Sequence, residues 1–137
     1  MESSVVLHVI GWVRSSISSL SEAPRQGDEG APDAWLELDP VYLDGLKGIV
    51  EGDSLIVLSW LHKAKRDVLQ VHPRDNADAP LAGVFRTRSP ERPNPVGIHP
   101  VKVHYVEGNR LRIGPIEAID GTPILDVKVA IKRIEEE

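Results

Sequence analysis

Cysteine is absent from the 137 residues, so disulfides, thiolate metal sites and cysteine nucleophiles are excluded together. Aromatics are scarce. Three Trp, two Tyr and one Phe make up 4% of the chain, which leaves packing to Val, Ile and Leu. The β-branched members of that set favour strands. Long apolar runs are missing too: nothing approaches the ~20 residues a membrane-spanning helix needs. The N-terminus lacks the basic-then-apolar order of a secretory signal. A cytoplasmic protein with no membrane partner and no metal is the expectation. Positive charge is in deficit, with a formal net charge of −5. That balance argues against indiscriminate polyanion binding, because non-specific nucleic-acid affinity comes chiefly from phosphate neutralisation.

What is present fits one domain. Domains commonly hold about 100–200 residues, and a chain of this length buries roughly two-thirds of its unfolded surface. With no internal repeat and no low-complexity linker, residues 1–137 are expected to form a single unit. Val5 to Val13 is an apolar, β-branched run that predicts a buried strand. Ser15 to Ala34 loses periodicity and is rich in Ser, Gly, Pro and acids, a long loop of a length usually reserved for function or disorder. Ala34 to Leu38 alternates apolar and charged residues as a half-buried strand does. Asp39-Pro40 offers an N-cap and a first-position proline for a helical turn from Tyr42 to Leu46, stopped by Gly48.

Asp53 to Leu61 is the strongest strand signal. Leu55-Ile56-Val57-Leu58 is apolar at every position, which predicts burial on both faces. Val68 to Val71 reads as a short strand and His72 to Asn76 as a turn. Val96 to Val106 and Leu111 to Ile119 read as a hairpin around Glu107-Gly108-Asn109-Arg110, and Ile124 to Ile131 as a last strand with one wet face. The expected fold is all-β: a small β-barrel of about seven strands, with a short helical turn and a long N-terminal loop.

The most informative stretch is Gly83 to Gly97. Arg86, Arg88 and Arg92 fall within seven residues, among Pro90, Pro93 and Pro95. Each proline fixes φ and biases its predecessor toward extended geometry, so the stretch is a stiff cationic loop that loses little entropy when a ligand arrives. A proline-stiffened connection with solvated arginines is the alternative that composition leaves open. From Trp60 to Arg92 seven Lys and Arg stand against four acids, so a tRNA partner is compatible with this segment despite the acidic whole.

Gly83-Val84-Phe85-Arg86-Thr87-Arg88-Ser89-Pro90-Glu91-Arg92-Pro93-Asn94-Pro95-Val96-Gly97 resembles the signature of the TrmO family, also called TsaA-like or YaeB-like. Pro24-Arg25-Gln26 and the run Asp120 to Lys128 are similar to further family segments, in the same order. The resemblance implies an S-adenosylmethionine-dependent methyltransferase on a β-barrel. Its implied substrate is tRNA, methylated at N6 of the threonylcarbamoyladenosine beside the anticodon, and its implied assembly is a homodimer. Longer members carry an extra C-terminal domain, and this chain is expected to stop before it. The cofactor contacts carried over are Pro24, Arg25, Gln26, His62, Lys63, Arg92, Asp120, Gly121, Thr122 and Pro123.

Methyl transfer from a sulfonium needs alignment of donor and acceptor more than activation. Arg25, Arg88 or Arg92 suits the cofactor carboxylate, because guanidinium donors match both oxygens. Asp120 to Pro123 offers a carboxylate, a hydroxyl and turn backbone for its other polar edges; an ordinary Asx turn is the plainer reading. Arg86 and Arg88 suit a phosphate or the threonyl carboxylate of the substrate. Asp126 and His62 are candidate bases, and a lone histidine such as His62 is more often a structural hydrogen-bonding residue. Arg88 and Asp126 are therefore the candidate catalytic pair. Two places depart from the family: His99-Pro100, where serine is common after Gly-Ile, and Val129-Ala130, where a proline and an aromatic are usual. Both bear on the acceptor. The competing functions are a cofactor-binding barrel with another acceptor or a regulatory role, and an RNA-binding barrel, which would more often display stacking aromatics.

Overall fold

A computed structural model describes residues 3–18 and 30–131. Six strands close into a barrel: β1 (Gly11–Arg14), β2 (Ala34–Leu38), β3 (Ser54–Trp60), β6 (Val96–Glu107), β7 (Arg110–Gly114) and β8 (Pro123–Val129). Around the ring the order is β1-β2-β7-β6-β3-β8, and every pairing is antiparallel. Two short strands, β4 (Gln70–Val71) and β5 (Ala82–Gly83), pair with each other in the long connection between β3 and β6. The all-β barrel expected from the sequence is observed, with six strands in the wall rather than about seven.

Alternation fills the interior. Val13, Leu36, Val57, Leu111, Ile113 and Ile124 are fully buried and meet in one core. A shift of register between Leu58 and Ser59 lets Ile124 pair with Ser59 while Val127 pairs with Val57, so two residues three apart on β8 both serve the inner side. Such a bulge bends its strand and tightens the local twist. At Gly11 a Cβ would overlap the Glu37 carbonyl, which is why β1 can cross β2 so closely there. Asp39 caps the 3₁₀ turn Pro40–Leu46 through its carboxylate, 3.1 Å from the Val41 N–H, and Leu46 plugs the core beside it.

Three expectations are corrected. The first strand spans only Gly11–Arg14, and Val5, Val6, Leu7 and Val9 are exposed outside it. β-branched composition favours extended backbone but supplies no partner, and a closed ring leaves no free edge. Strand β3 is buried on one face only: Leu55, Val57 and Ser59 point inward, whereas Ile56, Leu58 and Trp60 are half-buried outside. The hairpin's second strand stops at Gly114, because Pro115 has no N–H for the ladder. Residues 115–119 then leave the wall, burying Ile116, Ala118 and Ile119.

Leu36 has no exposed surface and sits within the core cluster. Leu36→Ala is expected to cost about 2–5 kcal/mol, read as a lower urea midpoint with unchanged slope.

Candidate functional site

The site forms where β3 ends. After Trp60 the chain turns through Leu61–Ala64, with Ala64 N–H donating to Leu61 O at 2.9 Å. Two backbone bonds tie this turn to the proline loop: Leu61 N–H to Pro95 O at 2.7 Å and Arg92 N–H to Lys65 O at 3.2 Å. Arg66 completes the junction. Its Nε donates to Pro93 O at 2.7 Å, its Nη2 to Asn94 Oδ1 at 3.1 Å, and its guanidinium carbon lies 5.0 Å from the centre of the Trp60 ring. Planarity lets one side chain stack and bond at once, which lysine does not do.

His62 and Lys63 stand exposed on the turn. The His62 imidazole is held below its ordinary pKa, first by partial burial and then by the Lys63 charge, against a backbone hydrogen bond to Trp60. A lowered value means a neutral ring at pH 7, able to accept a proton.

The loop is built by hydroxyls and one inward arginine. Thr87 Oγ1 donates to Val84 O at 2.9 Å and accepts from Ser89 N–H at 3.1 Å, and Ser89 Oγ accepts from Glu91 N–H at 3.3 Å. Arg92 turns back into this arch. Its Nη1 donates to Thr87 O at 3.2 Å and Ser89 O at 2.9 Å, and its Nη2 to Val84 O at 3.0 Å. A guanidinium has five donors, so two remain for any ligand. Arg86 and Arg88 are exposed, and neither has a hydrogen bond or ion pair within the described residues.

The third segment is the Asp120–Pro123 turn, which leads directly into β8 beside the end of β3. Asp120 Oδ1 accepts from Ser15 N–H at 3.0 Å, and its own N–H donates to Ile17 O at 2.7 Å. Gly121 takes φ of +81° and donates to Val13 O at 2.7 Å. Thr122 is buried and gives its hydroxyl to Ile119 O at 2.6 Å, so that side chain supports the turn from below. The same turn anchors Ser15–Ile17, from which the chain runs on toward Pro24, Arg25 and Gln26. Those three lie outside the described residues.

Asp126 is placed elsewhere. It lies in a groove of about 370 Å³ lined by Ile10, Leu38, Tyr42, Asp44 and Val127, with Lys128 Nζ 3.1 Å from its carboxylate. No hydrogen bond or ion pair joins it to Arg88 among the described residues. The structure instead adds Arg66, which sequence reading counted only as charge; its spacing from Trp60 was the available signal. Among the described residues no cluster of three metal-ligating side chains occurs.

Arg92→Ala is expected to release the arch while the barrel stays folded. Tryptic cleavage at Arg88 should quicken at least tenfold with little change in the thermal midpoint; an unchanged cleavage rate would argue against the inward role of Arg92.

The chain is similar to proteins of one family. The profile of the tRNA-methyltransferase O N-terminal domain matches residues 12–136. A probable S-adenosyl-L-methionine-binding protein of Methanocaldococcus jannaschii is 46% identical over 98 residues, 69% of this chain and 78% of that protein. The probable S-adenosyl-L-methionine-binding protein VirR of Rhizobium radiobacter is 39% identical over 127 residues, 93% of this chain and 71% of that one. A crystal structure of TrmO from Pseudomonas aeruginosa superposes with a TM-score of 0.76 at 29% identity, covering 97% of this chain. The chain spans 57% of that TrmO chain.

Proposed function

Because the chain belongs to the tRNA-methyltransferase O family, we propose that it is an S-adenosylmethionine-dependent tRNA methyltransferase whose barrel, residues 1–137, is the cofactor-binding domain. The acceptor we assign is N6 of threonylcarbamoyladenosine beside the anticodon, and the place of work is the cytoplasm, where tRNA is. The observation that carries the reading is that the Leu61–Lys65 turn, the proline loop and the Asp120 turn lie together at the end of β3, the first two joined by the Leu61–Pro95 and Arg92–Lys65 backbone bonds. Relatives named for binding S-adenosylmethionine support the cofactor.

The donor set fits that group. The Lys63 ammonium and the remaining donors of Arg92 match its carboxylate, and Arg86 and Arg88, which have no hydrogen bond or ion pair among the described residues, are left for the substrate. The second oxygen of Asp120 and the backbone of Gly121 and Pro123 match an amino group or ribose hydroxyls. Pro24, Arg25 and Gln26 are assigned to the same set on the family resemblance alone. When bound, the cofactor supplies an activated methyl group, so the chain's own task is alignment. Arg88 holds the anionic part of the substrate against the stiff loop. His62, neutral at pH 7, takes the proton that the acceptor nitrogen loses. Asp126, turned into the groove with Lys128, has no part in this scheme.

We also assign a homodimer. The outer face of β3 and β6 sets Leu58 against Ile98, Ile56 against Pro100 and Trp60 against Val96, an apolar surface with Ile98 41% and Val96 39% exposed. Contiguous apolar surface of that kind marks an interaction site. Ile98→Lys is expected to yield monomer by sedimentation velocity where the wild type sediments as dimer. A wild-type monomer would remove the assignment.

Calorimetry with S-adenosylmethionine, followed by methyl transfer to tRNA with and without threonylcarbamoyladenosine, tests the activity. Wild-type protein is expected to bind and to label only the modified tRNA, and Arg88→Ala to lose at least tenfold in transfer with near-normal cofactor affinity. Absence of binding by folded protein at millimolar cofactor would sink the proposal. Binding without transfer to either tRNA would favour a cofactor-binding barrel with another acceptor.

A further inference from the structure

Beneath the site three polar side chains meet inside the barrel wall. His99 of β6 is buried, and both its ring nitrogens are engaged: Nε2 lies 2.7 Å from Ser59 Oγ on β3, and Nδ1 lies 2.5 Å from Glu117 Oε1. A carboxylate only accepts, so Nδ1 carries a proton. A hydroxyl both donates and accepts, so Ser59 satisfies Nε2 in either state of the ring. Every buried polar atom of the ring is thus partnered, which a buried imidazole requires. Gly97 makes the space: a Cβ there would stand 2.6 Å from Ser59 Oγ and 2.8 Å from His99 Nε2.

The placement of this relay matters more than its composition. Gly97 is the last residue of the arginine loop's signature, two positions before His99. Glu117 lies in the segment that leaves the wall after β7 and reaches the Asp120 turn. Backbone hydrogen bonds of residues 115–122 run toward Pro32, Ile17 and Val13, on the β1–β2 side of the barrel. The His99–Glu117 bond instead reaches β6.

We infer that His99, through Glu117 and Ser59, is a positioning residue that sets the arginine loop and the Asp120 turn at a fixed distance from each other. The inference deepens the proposed function, since those two segments are the ones assigned to the cofactor. It adds a determinant that touches no ligand. Loss of the bond leaves the barrel folded but lets each segment open locally and independently of the other, so groups meant to grip one molecule from two sides no longer do so together.

Native-state hydrogen exchange on the full chain, without cofactor, tests the coupling. The probes are the Leu61 and Val96 amides on the loop side and the Asp120 and Gly121 amides on the turn side, with the Leu38 amide as a barrel reference. In Glu117→Ala, protection is expected to fall at least tenfold on both sides and to hold at Leu38. Glu117→Gln, which still accepts from Nδ1, is expected to restore both. Should Glu117→Ala fail to fold, Glu117→Asp serves, because its carboxylate falls short by one methylene. Loosening on one side only, on neither side, or equally at Leu38 would overturn the inference. Calorimetry with S-adenosylmethionine then reads the consequence: at least tenfold weaker binding by Glu117→Ala, rescued by Glu117→Gln. Wild-type affinity in the alanine variant would also overturn it. If wild-type protein binds no cofactor, the proposed function fails and the exchange experiment alone decides the coupling.

Discussion

Closure of the sheet is the constraint on which the rest depends. Strand β3 is hydrogen-bonded along both edges, to β6 and to β8, and its final residues therefore leave the wall at a defined place and direction. A ring without edges tolerates no slip of register, because a one-residue shift would turn every inward side chain outward. The ends of β3, β6 and β8 are held together by that ring, and the loops they carry inherit its rigidity. A loop scaffolded in this way can present charged groups without much ordering when a ligand arrives.

Charge is divided between two tasks on the same loop. Arg66 and Arg92 spend guanidinium donors on backbone carbonyls and an asparagine, where a planar fork satisfies several acceptors at once. Arg86 and Arg88 face outward. Without those internal bonds the outward pair would ride on a loose chain. Hydrogen bonds with one ionised partner are worth about 1.5–3 kcal/mol each, so this internal use of arginine is a substantial part of what shapes the loop. An acidic chain can present a local cationic face by this arrangement, which suits selective rather than indiscriminate contact with nucleic acid.

The acid–base chemistry follows from position. His62 sits beside Lys63 and is partly buried, and both effects favour the neutral ring. Asp126 has an ammonium neighbour and an outer groove instead. Two groups that looked equivalent as bases along the chain differ because one lies on the turn bonded to the loop and the other lines a groove from β8 beside an ammonium group.

Much was legible in the chain itself. Alternation over Ala34–Leu38, the capped turn after Asp39, the apolar run of β3 and the hairpin around Gly108 are local properties, dictated by side-chain period and turn chemistry, and each is found in place. The proline-set loop and the family membership were readable for the same reason: they are written in consecutive residues. Tertiary structure alone decided which face of β3 is buried, that Val5–Val9 is in no strand and finds no strand partner among the described residues, that Arg92 points inward, that Asp126 lines an outer groove beside Lys128, and that Ser59, His99 and Glu117 meet. Those outcomes depend on which residues distant in sequence become neighbours when the ring closes. Ser59 and His99 are brought together by strand pairing, and no local periodicity encodes a partner forty residues away.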